Sequence, residues 1–367
     1  MSIVVVTGAS GFVGQRVVAR LAARPDVERI IGVDVVPNPS LDPAVEHLVI
    51  DLARDPAASP DRLSATLEGA GSVIHLAWSH AVSARGDRPG GVDGSANLLS
   101  LRRVLEATTV LGVSRLVHLS SATVYGAWPD NPVPLAEDTT IRPNPGFAFA
   151  AEKAEAERLV REWAEQRPGR SVAVLRPSVT VGAAGPALYR ALAGTRVPRP
   201  VDAARPMQFL HVDDLADAAV FAWERQLSGV YNVAPDGWLG EDTARDLVGG
   251  MARLALPSVV IRSLGGWGWR ILGAGAPKEA LPYSAHPWVI ANDRLRSAGW
   301  VPGHTNEEAL VSTDERNHWS DLPPGRRQEV ALMAAGAGAV AAGAGAIGLA
   351  TAVVARLRRR RTTPAGG

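Results

Sequence analysis

The chain of 367 residues contains no cysteine. That excludes a disulfide scaffold, thiolate-bound metals and a cysteine nucleophile, and it fits a reducing compartment. Lysine is nearly as scarce, with Lys153 and Lys278 the only two among 38 basic residues. The N-terminus, M-S-I-V-V-V-T-G, lacks the charged segment and cleavage site of a secretory leader. No H-E-x-x-H, paired-cysteine or acidic metal loop occurs, so there is no sign of a metal. Net charge is only +1, and it is unevenly spread: seven arginines and one glutamate lie beyond residue 325, which leaves the body net acidic. A body of that sign gives no reason to expect a nucleic-acid partner. What is present is ordinary globular composition, 46% hydrophobic and 20% charged, in a chain long enough for one large α/β domain or two lobes.

The first 52 residues carry the clearest pattern. I-V-V-V (3–6) reads as a strand buried on both faces, and T-G-A-S-G-F-V-G leads from it into the helical Q-R-V-V-A-R-L-A-A-R. Gly8, Gly11 and Gly14, with Phe12 and Val13 between them, therefore sit in a strand-to-helix turn. Glycines there let the backbone approach a pyrophosphate, and the helix start supplies amide donors and a positive dipole end. A second strand, R-I-I-G-V-D, ends in Asp34, whose carboxylate suits an adenosine ribose diol and repels a 2′-phosphate, so NAD is expected rather than NADP. A third strand, H-L-V-I-D-L (47–52), brings Asp51 and Leu52 to the place of the adenine ring.

With T-G-x-x-G-F-x-G in hand, the chain resembles the extended short-chain dehydrogenase/reductases, the NAD-dependent epimerase/dehydratase family. V-I-H-L-A (73–77), G-S-A-N-L-L (94–99), L-V-H-L-S-S-A-T-V-Y-G (116–126), V-A-V-L-R-P-S-V-T-V-G (172–182), F-L-H-V-D-D-L-A (209–216) and G-V-Y-N-V-A (229–234) match further segments in order, over roughly residues 1 to 315. The resemblance implies a Rossmann-type doubly wound parallel sheet with a smaller C-terminal substrate lobe. It places Ala77 and Pro177 beside the cofactor, Ser121 on the catalytic Ser/Thr position and Tyr125 at the border of the substrate pocket. It also implies a homodimer paired through two long helices. Catalysis in the family runs through a Tyr-x-x-x-Lys pair on one helix face, the ammonium anchoring ribose hydroxyls while the phenol exchanges a proton with substrate. Here Lys153 matches the lysine and Phe149 falls on the tyrosine, so the proton donor is missing. Gly91 replaces a cofactor-side Asn of many members, and Met207 an Arg that holds sugar-nucleotide pyrophosphates, with Arg205 close by.

The expected organisation is a NAD-binding core over 1–177, a substrate lobe with returning elements over 178–315, a linker over 316–329, an Ala/Gly-rich hydrophobic helix over 330–355 and a basic tail over 356–367. Trp267 and Trp269 are expected to be buried against the cofactor domain. The uncharged segment 330–355 would be about 39 Å long as a helix, enough to cross a hydrocarbon core of about 30 Å with tilt. Yet both the arginine cluster at 356–361 and the dinucleotide-binding body belong on the cytoplasmic side, and one span cannot satisfy both unless Arg326 and Arg327 prevail. A span, a surface-lying anchor on anionic lipid and a flexible tail stay open. The expectation is a cytoplasmic body attached to the inner face of a membrane. Two functions stay open as well. One is an NAD-dependent oxidoreductase or epimerase/dehydratase acting on a hydroxyl-bearing small molecule, with sugar nucleotides among the candidates; the other is a silent dinucleotide-binding regulator or membrane-associated scaffold.

Overall fold

β-Branched and aliphatic runs alternate with amphipathic stretches along the first 233 residues, and the chain lays them down as a parallel sheet covered on both faces. The computed structural model describes residues 2–79, 95–183, 185–186, 188, 205–247, 278–280 and 282–313. All of them belong to one of the chain's two units, Met1–Val248 with Ala255–Glu315. The elements run β1 (Ser2–Thr7), α1 (Gly14–Ala22), β2 (Val27–Asp34), β3 (Val45–Val49), α2 (Pro60–Thr66), β4 (Ser72–His75), α3 (Ala96–Leu111), β5 (Arg115–Leu119), α4 (Ala148–Glu165) and β6 (Ser171–Pro177). Then follow β7 (Val179–Val181), β8 (Pro206–Met207), β9 (Phe209–His211), α5 (Val212–Glu224), β10 (Gly229–Val233), β11 (Leu239–Gly240), α6 (Glu241–Leu247), α7 (Pro282–Ala285), α8 (Asp293–Ser297) and α9 (Asn306–Val311).

Seven strands form one sheet in the order β10-β6-β5-β4-β1-β2-β3, every pair parallel. From β1 the chain moves outward through β2 and β3, then crosses back to β4 on the other side. The strand order thus reverses between β1 and β4, where open α/β sheets form their ligand crevice at the carboxyl ends.

Period-two alternation divides the sheet's side chains between two cores. Val4, Val6 and Val117 pack with Val17, Val18 and Leu21 of α1 and with Leu215, Ala219 and Trp223 of α5. Val5, Val73 and Leu116 pack against Leu63 of α2, Leu98 and Leu101 of α3, and Ala156 and Val160 of α4. A third cluster, built from Tyr125, Phe147, Phe149, Met207, Phe209, Tyr283 and Trp288, carries most of the buried aromatic rings on the side of the C-terminal elements.

The third strand runs over Val45–Val49 and stops short of Asp51. Among the described residues no helix is long and apolar enough to cross a membrane. The expected segment 330–355, the tail, the linker, Trp267, Trp269 and Gly91 lie outside the described residues.

Candidate active site

Gly8 leaves β1 with φ +75°, and its amide donates to the Val33 carbonyl at 2.7 Å. A Cβ on Gly8 would stand 2.7 Å from the Ala77 amide nitrogen, and one on Gly14 would overlap the Gly8 carbonyl oxygen. The turn therefore closes only with glycines. The residue that precedes α1, Val13, gives no side-chain cap; the Gln15 and Arg16 amides donate to the Gly11 and Val13 carbonyls at 3.2 and 3.1 Å, and the positive end of the helix dipole faces the turn.

Asp34 ends β2 beside this turn. One carboxylate oxygen accepts from the Ser10 amide at 2.9 Å, and the other from the Val35 and Val36 amides at 2.7 and 3.2 Å. Asp51 accepts from the Ala53 and Arg54 amides at 2.9 and 3.1 Å and shapes the loop that carries the buried Leu52. Together these groups line the outer part of a cleft of about 410 Å³ whose wall also includes Gly11, Phe12, Val13, Ala77 and Lys153.

At the inner end, Lys153 is buried on α4. Its ammonium donates to the Leu119 carbonyl, at the end of β5, at 2.6 Å. It also lies 3.7 Å from the centre of the Trp78 ring. Burial pushes the amine down to about 7, with the nearby Glu152 and Glu157 carboxylates opposing the shift. Asn97, on α3, grips the loop after β4 from both sides: its Oδ1 accepts from the Ser79 amide at 2.9 Å and its Nδ2 donates to the Ser79 carbonyl at 3.2 Å. The same Nδ2 donates to Glu152 at 2.9 Å. Trp78, Ser79 and Asn97 line the cleft, although sequence reading assigned none of them a role. The signal was there in the continuation of V-I-H-L-A into A-W-S and in the Asn of G-S-A-N.

Beneath Lys153, His75 and His118 face each other with ring centres 5.7 Å apart. Both are fully buried, and desolvation pushes His75 down to about 3 and His118 well below its usual value. They are neutral rings of the sheet interior.

The remaining expected residues lie away from the cleft wall. Ser121 lies two residues beyond β5, its hydroxyl accepting from the Thr123 amide at 3.2 Å and the Thr123 hydroxyl at 3.0 Å. Phe149 is buried one helical turn before Lys153, its ring centre 5.9 Å from that of Phe147. Pro177 closes β6 in register with Val233. Tyr125, expected at the border of the substrate pocket, is buried with its hydroxyl paired inside the protein. Its hydroxyl donates to Asn232 Oδ1 at 2.8 Å and accepts from Arg176 at 2.8 Å, and burial pushes its pKa up to about 12. Tyr283, fully buried, donates to the Thr123 carbonyl at 2.6 Å, so this hydroxyl is also committed to structure. Arg205 donates to the Tyr283 carbonyl at 2.9 Å from a buried position.

The cleft fits a dinucleotide in three respects: a backbone cradle that no side chain could share, an acceptor-only carboxylate one strand away, and a buried ammonium at the opposite end. When bound, NAD supplies hydride exchange at its nicotinamide, and this chain supplies the groups that hold and orient it.

Residues 4–234 match the NAD dependent epimerase/dehydratase family. An uncharacterised protein of Mycobacterium tuberculosis (strain ATCC 25618 / H37Rv) is 28% identical over 319 residues, 84% of this chain and 82% of its own. The 3-diazoavenalumate denitrifying reductase of a Streptomyces species is 30% identical over 321 residues, 82% of this chain and 96% of the reductase. The UDP-glucose 4-epimerase of Thermus thermophilus, solved as a complex with NAD, aligns with a TM-score of 0.63 at 22% identity, covering 85% of this chain and 97% of that one; this likeness concerns the fold. The turn, the carboxylate and the buried lysine thus coincide with a family match over more than half of the sequence: the chain belongs to the NAD-dependent epimerase/dehydratase family, and NAD is its cofactor.

Proposed function

We propose that the protein transfers hydride between NAD and a small molecule in a catalytic site altered at Phe149. The observation that carries this reading is Lys153, a buried ammonium at the inner end of the cleft in a chain that writes arginine at every other basic position but Lys278. Burying an ammonium is costly unless something uses it, and a compact ammonium suits ribose hydroxyls where a guanidinium does not. In this reading the amides at the start of α1 hold the pyrophosphate, Asp34 the adenosine ribose and Lys153 the nicotinamide ribose. Ser121 meets the substrate oxygen.

Sugar nucleotides and other hydroxyl-bearing molecules are the first substrates to test. The Streptomyces relative adds a second group, since its name describes a reduction of a diazo compound with loss of nitrogen. Hydride delivered to the carbon of a cationic diazonium group forms the C–H bond as N2 departs with the C–N electron pair, and because that step needs no proton, Phe149 does not obstruct such a reduction. A silent dinucleotide-binding regulator is the second reading, and the hydroxyl-free ring of Phe149 is what favours it.

The first experiment titrates the full chain with NADH and NADPH, following tryptophan fluorescence. NADH is expected to bind at least tenfold more tightly, because a 2′-phosphate would be a second anion beside the Asp34 carboxylate. Asp34→Ala should weaken NADH binding and narrow that preference. Equal binding of both cofactors to the parent protein would refute the Asp34 assignment, and absence of NADH binding would refute the proposed function.

Phe149→Tyr tests the altered site. A phenol one turn before Lys153 is expected to raise turnover of hydroxyl or carbonyl substrates, toward the ~10²–10⁴-fold that general acid–base groups contribute. Reduction of a diazo acceptor should change by less than about threefold, since no proton is transferred to oxygen. A variant that binds NADH normally but gains nothing on any hydroxyl or carbonyl substrate would instead favour the silent reading.

A further inference from the structure

We propose that Trp78 is the positioning residue of the Lys153 ammonium, its indole face taking the place that a phenol oxygen fills in a Tyr-x-x-x-Lys pair. This rests on the reading that the cleft holds NAD, but the contact itself belongs to the protein alone.

An ammonium carries three N–H donors. Among the described residues the only hydrogen-bond acceptor of Lys153 is the Leu119 carbonyl. The two carboxylates nearest in sequence are engaged elsewhere. Glu152 accepts from Asn97, and Glu157 accepts from both Ser120 and Arg176. His75 of β4 and His118 of β5, which face Lys153 from the sheet, are held neutral and offer it no counter-charge. The position one turn back on α4 is Phe149. What the cation does meet is the ring of Trp78, at 3.7 Å from its centre, well inside the range of a cation–π contact.

The contact is held in place rather than accidental. Ser79, the next residue, has both its amide and its carbonyl bound by Asn97, so the Trp78 backbone is anchored to α3. The indole N–H is buried and finds no acceptor among the described residues. Trp163, Trp223 and Trp288 satisfy that donor, while the core Trp300 leaves its own unpaired as well, so what sets Trp78 apart is the cation over its ring. Trp78 gives up that hydrogen bond and places its ring face on the ammonium. A neutral ring can hold the cation without exchanging a proton with substrate, which fits a site that has lost its phenol.

The test removes π-electron density while leaving size nearly constant. In the full chain, Trp78 is replaced site-specifically by 5-fluoro-, 5,7-difluoro- and 4,5,6,7-tetrafluorotryptophan. Competitive acetylation read by mass spectrometry then gives the pKa of Lys153 in the cofactor-free protein. Lys278 is the only other lysine, so it serves as the internal reference. The Lys153 pKa is expected to fall stepwise along the series, by about one unit at the tetrafluoro ring, and NADH affinity at pH 6.5 to fall in parallel by about threefold. A merely structural wall would leave both flat, and flat values across the series would overturn the proposal. Failure of NADH to bind the unsubstituted chain would instead strike the cofactor reading. The acetylation series, which uses no cofactor, would still decide the role of Trp78.

Discussion

Gly14→Ala is expected to lose NADH binding by a hundredfold or more while the protein stays folded. A methyl group there cannot coexist with the Gly8 carbonyl oxygen, and the Ala9 Cα stands 2.9 Å from the same point. These neighbours are backbone, so relief requires α1 to move away from the turn. A displacement of about 1 Å at a positioned contact costs on the order of 10²-fold in function, whereas overpacking of this kind costs roughly 1–3 kcal/mol of stability. Two other glycines provide contrast. At Gly11 the nearest atom to an added Cβ is the Gly8 carbonyl oxygen at 3.1 Å, so Gly11→Ala should weaken binding far less. At Gly112, with φ +70° and open space around it, alanine should cost about 1 kcal/mol of stability and leave NADH binding unchanged. Fluorescence titration with NADH and thermal unfolding of all three variants read the two effects separately. If Gly14→Ala binds NADH within threefold of the parent, the cofactor does not lie on this turn.

Gly8, Gly11 and Gly14 were legible in the sequence because every part of their argument is local. β1, the turn, α1 and β2 occupy the first 34 residues, so strand, helix and carboxylate could be placed by spacing alone. Trp78 was not legible in the same way. Its partner Lys153 lies 75 residues on, and only the adjacency of β4 and β5 brings the loop after β4 over α4. The partners of Tyr125 are equally remote in sequence. Its position after Ser121 suggested a substrate contact, yet the residues that claim its hydroxyl, Arg176 and Asn232, are 51 and 107 positions away on β6 and β10. A buried phenol takes whatever hydrogen-bonding partners the sheet supplies, and the local motif says nothing about strands still to come.

Those partners also explain how Ser121 and Lys153 keep their places, and they carry the second large prediction. Arg176 grips both oxygens of Glu157, at 2.9 and 2.6 Å, with each side chain almost completely buried. Its remaining nitrogen donates to the Tyr125 hydroxyl at 2.8 Å and the Glu137 carbonyl at 3.2 Å. Glu157 also accepts from Ser120, the neighbour of Ser121, and sits one turn beyond Lys153 on α4. The pair thus ties β5, the turn after it, α4 and β6 together directly below the reactive end of the cleft. Arg176→Met removes the cation but leaves the carboxylate in the interior, where losing one partner of a buried pair costs about 3–5 kcal/mol. Adding Glu157→Gln removes the stranded charge, so the double variant is expected to regain about half of that loss or more. Urea unfolding of the parent, the two single variants and the double variant gives the coupling. Because Tyr125 loses its Arg176 donor and Glu157, which holds Ser120, loses its counter-charge, turnover should fall further than NADH affinity in Arg176→Met. A single variant that loses less than about 1 kcal/mol would show that water already reaches the pair. The reactive end would then have to be held by the Asn97 clamp and the aromatic cluster around Phe149 and Tyr283 alone.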